Sequence, residues 1–354
     1  MKRTWRSFGA PQLESQRFDW KIALLNKKLY ILFRRRQMSS MPGSRKVGIV
    51  GSGLVGSSFA YALMMRGLAT ELVLVDANKD RAVGEAMDLN HGLPFTRPMK
   101  IVAGDYADLE GARVVVVTAG AGQKPGETRL DLLSRNAAIF RSIVPEVVKH
   151  NPDGILLIAT NPVDILTYVS LQESGLPAGK VVGSGTILDT SRFRFLLGRY
   201  YGVDARSVHA YIIGEHGDSE IPLWSLVNIG GVRLQEFAPL SDKRYNQQEM
   251  DRLFASVRDA AYEIIRKKGA TYYAIGLGLL SIVEAILGDY NSVLSVSTLM
   301  TGQYGVSDIC LSLPCVVGTD GVREVLTLNL SREEEGGFRA SAEKLKTTLQ
   351  SLRE

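Results

Sequence analysis

The 354-residue chain has only two cysteines, Cys310 and Cys315, only four histidines, and no apolar run near the roughly 18 to 20 residues that cross a bilayer. The missing apolar run excludes a membrane-spanning protein of the helical kind, so no membrane partner is expected. So few cysteines argue against a disulfide scaffold and fit a reducing, cytoplasmic compartment, with a local Cys310–Cys315 bridge as the lesser alternative. His91, His150, His209 and His216 form neither H-x-x-x-H nor H-E-x-x-H, and the cysteines lack C-x-x-C spacing. No metal site is expected on that pattern. No internal repeat or low-complexity segment is apparent.

Net charge of one sign is also scarcer than the total of +5 suggests. Residues 1–40 hold ten of the 42 Lys and Arg but only Glu14 and Asp19 among the 37 acids, which leaves 32 bases against 35 acids elsewhere. A nucleic-acid partner is therefore not inferred from the overall basicity. Residues 1–44 read as a basic N-terminal extension with three competing explanations. Ile22, Leu25, Leu29, Leu32 and Phe33 recur at helical spacing among bases, as in a membrane-surface helix or an organellar presequence. The favoured expectation is a start codon placed too early, since Arg34, Arg35 and Arg36 precede Met38 and Met41 as an in-frame ribosome-binding site would encode.

From Arg45 onward, short continuous apolar runs alternate with helical patterns: KVGIV, ELVLVD, KIVAG, RVVVVT, GILLIAT and KVVGSG. Strands buried on both faces by crossover helices read this way, which predicts a doubly wound, Rossmann-type α/β domain over residues 45–185. The spacing predicts helices over 54–66, after Asn78, over 128–150 and from Pro162. Residues 186–354 read as an α+β substrate domain. It has a helix near 189–201, a strand HAYII, hairpins at Gly230 and Gly231, two long helices over 247–287, strands near Val293 and Cys315, and a closing helix over 333–352.

In VGIVGSGLVG, Gly51, Gly53 and Gly56 form G-x-G-x-x-G between a predicted strand and helix, with Val55 inside the turn. The first glycine permits a tight turn, the second a close backbone approach to pyrophosphate, and the third close helix–strand packing. Asp76 ends the second strand twenty positions after Gly56, where a carboxylate accepts hydrogen bonds from the adenine-ribose hydroxyls and repels a 2′-phosphate. The cofactor expected is NAD.

A metal-free hydride transfer needs another means of polarising the carbonyl and moving its proton, which a histidine and an arginine can supply. AGAGQKPGETRLDL lacks the spacing of a nucleotide-triphosphate loop, and by itself it reads equally as a cradle for an anion or as a flexible turn. Together with GSGLVG, ATNPVD, GTILDTSRFRF and GEHGDSE, in this order and spacing, it resembles the L-lactate and malate dehydrogenase family from about Lys46 to the C-terminus. The resemblance implies that His216 is the proton donor and acceptor, Asp189 its hydrogen-bonded support, and Arg192 the bidentate anchor of the substrate carboxylate. It implies that Arg129 polarises the carbonyl from a closing loop, that Asn161 contacts substrate oxygen and nicotinamide ribose, and that Thr271 walls the pocket.

Gln123 stands where malate enzymes place an arginine for a second carboxylate, so pyruvate and L-lactate are the expected substrate pair, as in fermentative glycolysis. Arg194 and His209 match positions that bind fructose 1,6-bisphosphate at a subunit interface in allosteric bacterial members, and the family implies a homotetramer. Malate oxidation is the nearest rival reading. A metal-dependent, NAD-using glycosidase and a non-catalytic retained fold are more distant ones.

Overall fold

The computed structural model describes residues 45–122, 126, 128–238 and 243–352. The basic extension with its competing readings, and Gln123, lie outside the described residues, as does the side chain of Arg129.

Runs such as VVVV, with no polar position, have no face to offer water, and they pair side by side under helices. Lys46–Val50 (β1), Glu71–Val75 (β2), Lys100–Ala103 (β3), Val114–Val117 (β4), Ile155–Ile158 (β5) and Val181–Gly183 (β6) form a parallel array in the order β3-β2-β1-β4-β5-β6. The strand order reverses between β1 and β4, where crevices at the carboxyl ends of such sheets bind ligands. The crossovers carry Leu54–Arg66 (α1), Lys79–Gly92 (α2), Arg129–His150 (α3) and Val163–Ser174 (α4). Local sequence sets their ends. Asn78 accepts from the Arg81 backbone N–H to start α2, Thr128 and Asp131 form a reciprocal capping box for α3, and Gly67 ends α1 at φ +63°.

After β6 comes Ile187–Tyr201 (α5), which starts before Asp189. The sheet then continues with antiparallel strands. Ile212–Gly214 (β8), Glu220–Pro222 (β9), Ser292–Thr301 (β12) and Ser307–Gly318 (β13) extend it as β6-β12-β13-β8-β9, and Gly321–Val325 (β14) pairs with β13. A small second sheet holds Val208–His209 (β7), Asn228–Ile229 (β10) and Val232–Arg233 (β11). Gln247–Lys268 (α6), Tyr273–Gly288 (α7) and Arg332–Gln350 (α8) complete the described elements.

One expected strand, HAYII, is two strands in different sheets. His209 pairs with Asn228, whereas Ile212 turns into the main sheet. Two threonines of the α5 region capture Ile212: Thr190 Oγ1 accepts from its N–H at 3.0 Å and Thr186 Oγ1 donates to its carbonyl at 2.6 Å. Those bonds fix where the chain enters β8, and so where His216 falls beyond it.

Candidate active site

Two groups of side chains converge at the carboxyl ends of the strands. The first surrounds the glycine turn. Gly51 has φ +103°, and a Cβ there would lie 2.4 Å from the Ala119 nitrogen. At Gly56 a Cβ would stand 2.1 Å from the Gly51 carbonyl oxygen, whereas nothing lies within 4 Å of one at Gly53. The turn is thus tight at its outer glycines and open at the middle one, the open side a pyrophosphate needs. Gly53 begins α1 without a side-chain cap, no acid occupies its first turn, and Val55 is half-buried there. Uncapped N–H groups at a helix start favour an anion.

Asp76 is held beside this turn. Its Oδ2 accepts from Ser52 N at 2.7 Å and Ser52 Oγ at 2.9 Å, and its Oδ1 from Asn78 N at 2.9 Å. These residues fit a dinucleotide. Asn136, a buried side chain of α3, ties the loop after β4 to the loop after β5: its Oδ1 accepts from Ala121 N at 2.8 Å and its Nδ2 donates to the Asn161 carbonyl at 3.2 Å. Asn161 is exposed and precedes Pro162 through a cis peptide bond.

The second group centres on His216, which follows β8. Asp189 sits in the first turn of α5, only 2% exposed, and its Oδ2 meets His216 Nδ1 at 2.5 Å. Its other oxygen, Oδ1, accepts from Arg192 Nη1 at 3.0 Å, one helical turn on. A second buried carboxylate, Asp164 in the first turn of α4, accepts from the His216 backbone N–H at 2.8 Å. Two helix N-termini therefore hold the acids that flank one imidazole, a placement that favours their charge. From the other side, Ser341 of α8 accepts from Glu215 N at 2.8 Å, and Lys344 pairs with the Glu215 carboxylate at 2.8 Å.

The electrostatics follow this packing. Burial opposes the charge of His216, but Asp189, through its charge and hydrogen bond, with Asp164 and Glu220 behind it, raises its pKa to about 9. Burial also opposes the charge of Asp189, and there the cationic His216 and Arg192 prevail, so its carboxyl is held below the usual range. For Asp164 burial wins, and its carboxyl is pushed up to about 6.

The structure thus brings His216, Asp189 and Arg192 together, and it adds Asp164, Asn136 and Glu220, which sequence reading missed. Thr271 is half-buried in the link between α6 and α7. Arg194 and His209 line a separate cavity of about 460 Å³ with Arg206, Tyr211 and Phe195. His209 is exposed there, and Arg194 Nε is buried without a hydrogen-bond partner among the described residues. Cys310 and Cys315 are buried free thiols, pushed up by burial. Among the described residues, no helix is long and apolar enough to cross a membrane.

Comparison with known proteins covers nearly all of this architecture. The family model for the lactate/malate dehydrogenase NAD-binding domain matches residues 45–183, and that for the alpha/beta C-terminal domain matches residues 186–354. The chain is 51% identical to L-lactate dehydrogenase 1 of Clostridium acetobutylicum over 88% of its own length and 100% of the relative's. It is 53% identical to the L-lactate dehydrogenase of Acetivibrio thermocellus, over 87% of this chain and 97% of that one. A solved structure of the minor L-lactate dehydrogenase from Enterococcus mundtii, in ligand-bound form, superposes with a TM-score of 0.84 at 47% identity, covering 87% of this chain and 98% of the other.

Proposed function

Because the chain belongs to the lactate/malate dehydrogenase family and is an NAD-dependent oxidoreductase, we propose that it interconverts pyruvate and L-lactate with His216 as proton donor and acceptor. The observation that carries the mechanism is the buried pair of His216 and Asp189, with Arg192 on the second oxygen of the same carboxylate. NAD, held by Gly51, Gly53, Val55, Gly56, Asp76 and Asn161, supplies the two-electron redox chemistry when bound.

The remaining work falls to side chains of this chain. Below about pH 9 His216 is protonated, and its Nε2–H donates to the substrate oxygen as the carbonyl is reduced. Asp189 holds the Nδ1–H, so one tautomer faces the substrate once the proton has left, and the same arrangement works in reverse for lactate. Arg192, oriented by Asp189, pairs with the substrate carboxylate through its planar fork. Arg129 stabilises the developing oxyanion, Asn161 assists at the same oxygen, and Thr271 and Gln123 shape the pocket.

We further assign fructose 1,6-bisphosphate as an activator bound by Arg194 and His209, a homotetramer as the working assembly and the cytoplasm as its location. A cationic cavity lined by both side chains supports the first, and reduced, buried cysteines are consistent with the last. The mechanism is tested by His216→Ala. NADH binding, read by fluorescence, is retained, and turnover falls by about 10² to 10⁴, the usual worth of a positioned general acid. Undiminished turnover would remove His216 from the mechanism.

A further inference from the structure

Glu220, the first residue of β9, has no part in the mechanism above, yet it is buried inside the site. It is only 7% exposed, and its Oε1 has no hydrogen-bond partner among the described residues. One donor or acceptor atom from each of Glu220, Asp189 and His216 lies within 4.8 Å of the others. Two carboxylates cannot both be charged so close together in a buried setting without a cation between them. Asp189 has that support, bound as it is to both His216 and Arg192, and Glu220 does not.

The charged groups around Glu220 come from each neighbouring element. Asp189 and Arg192 face it from α5, His216 from the loop after β8, and Arg258 from α6. On α8, Glu334 is occupied by Ser225 and Ser331, and Lys344 by Glu215. Burial, and then the Asp189 charge, push the Glu220 carboxyl up to about 9 against the pull of His216, Arg192 and Arg258.

We propose that Glu220 is a positioning residue that tunes substrate binding through its protonation: as a neutral acid it leaves Arg192 to the substrate carboxylate, and as a carboxylate it draws that guanidinium and repels the substrate. This role rests on the proposed function. It makes the site's affinity for a 2-hydroxy or 2-oxo acid fall in alkaline solution for a reason separate from the titration of His216.

Lactate oxidation separates the two groups, because it needs His216 neutral and Glu220 protonated. In the wild type, kcat/KM for L-lactate is therefore bell-shaped in pH, rising with His216 and falling with Glu220. In Glu220→Gln the falling limb is absent, and kcat/KM rises to a plateau through pH 10. A falling limb of the same slope and midpoint in the variant overturns the proposal. In a second measurement, which needs neither substrate nor cofactor, ¹⁵N-histidine NMR follows the ring of His216 against pH. Loss of the Glu220 charge lowers the midpoint of His216 by at least about half a pH unit, as a charge at this range requires, and equal midpoints refute the coupling.

Glu220→Ser, a second neutral variant, serves for both measurements if the glutamine does not fold. Should the wild type fail to oxidise lactate at all, the proposed function fails, and the histidine titration still decides the role of Glu220.

Discussion

Replacing Asp189 by Asn removes one negative charge and leaves the side chain's shape nearly intact. Without that charge, burial dominates the environment of His216, and its pKa returns from about 9 to 6.5 or below. The difference of about 2.5 pH units, at ~1.36 kcal/mol each, is about 3 kcal/mol of support for the imidazolium. At pH 7.5 nearly all His216 is protonated in the wild type, whereas about a tenth or less is protonated in the variant. Protonation alone thus lowers kcat/KM for pyruvate about tenfold. The amide keeps one acceptor oxygen for two donors, so either the His216 tautomer or the Arg192 orientation is lost as well, and the full loss is on the order of 10² to 10³. Initial rates of NADH oxidation between pH 5.5 and 10 measure both effects. The alkaline limb moves from near 9 to 6.5 or below, and part of the lost activity returns at pH 5.5. A limb that stays near 9, or a rate within threefold of wild type at pH 7.5, would refute this electrostatic account of the pair.

Two other predictions concern specificity and regulation. Gln123→Arg supplies a cation for a second substrate carboxylate, whose burial unpaired costs several kcal/mol, so the ratio of kcat/KM for oxaloacetate to that for pyruvate rises by roughly 10² or more; an unchanged ratio contradicts the assignment of Gln123 to substrate choice. Fructose 1,6-bisphosphate added at low pyruvate raises the rate of the wild type and leaves Arg194→Ala unresponsive, whereas a flat wild-type titration removes the activator.

Much of this was legible in local sequence. The first six strands announce themselves because each is continuously apolar, and the helix starts at Asn78 and Thr128 because their side chains cap in place. His216, Asp189 and Arg192 were legible because each lies in a short motif whose neighbours position it. Asp164 was read only as part of ATNPVD, since its bond to the His216 backbone spans 52 residues and leaves no local trace. Glu220 was read only as part of GEHGDSE, and its burial depends on distant elements, α8 among them, packing against β9, which periodicity cannot reveal. The division of HAYII between two sheets has the same origin, because threonines some twenty residues earlier hold Ile212.

The central claim, a lactate rather than a malate dehydrogenase, is tested most directly by supplying the purified protein with NADH and either pyruvate or oxaloacetate. Following reduced-cofactor absorbance and then the chirality of the product, we expect rapid oxidation with pyruvate, L-lactate as the product and a much slower reaction with oxaloacetate. Preference for oxaloacetate, D-lactate as the product, or no oxidation with either acid would contradict it.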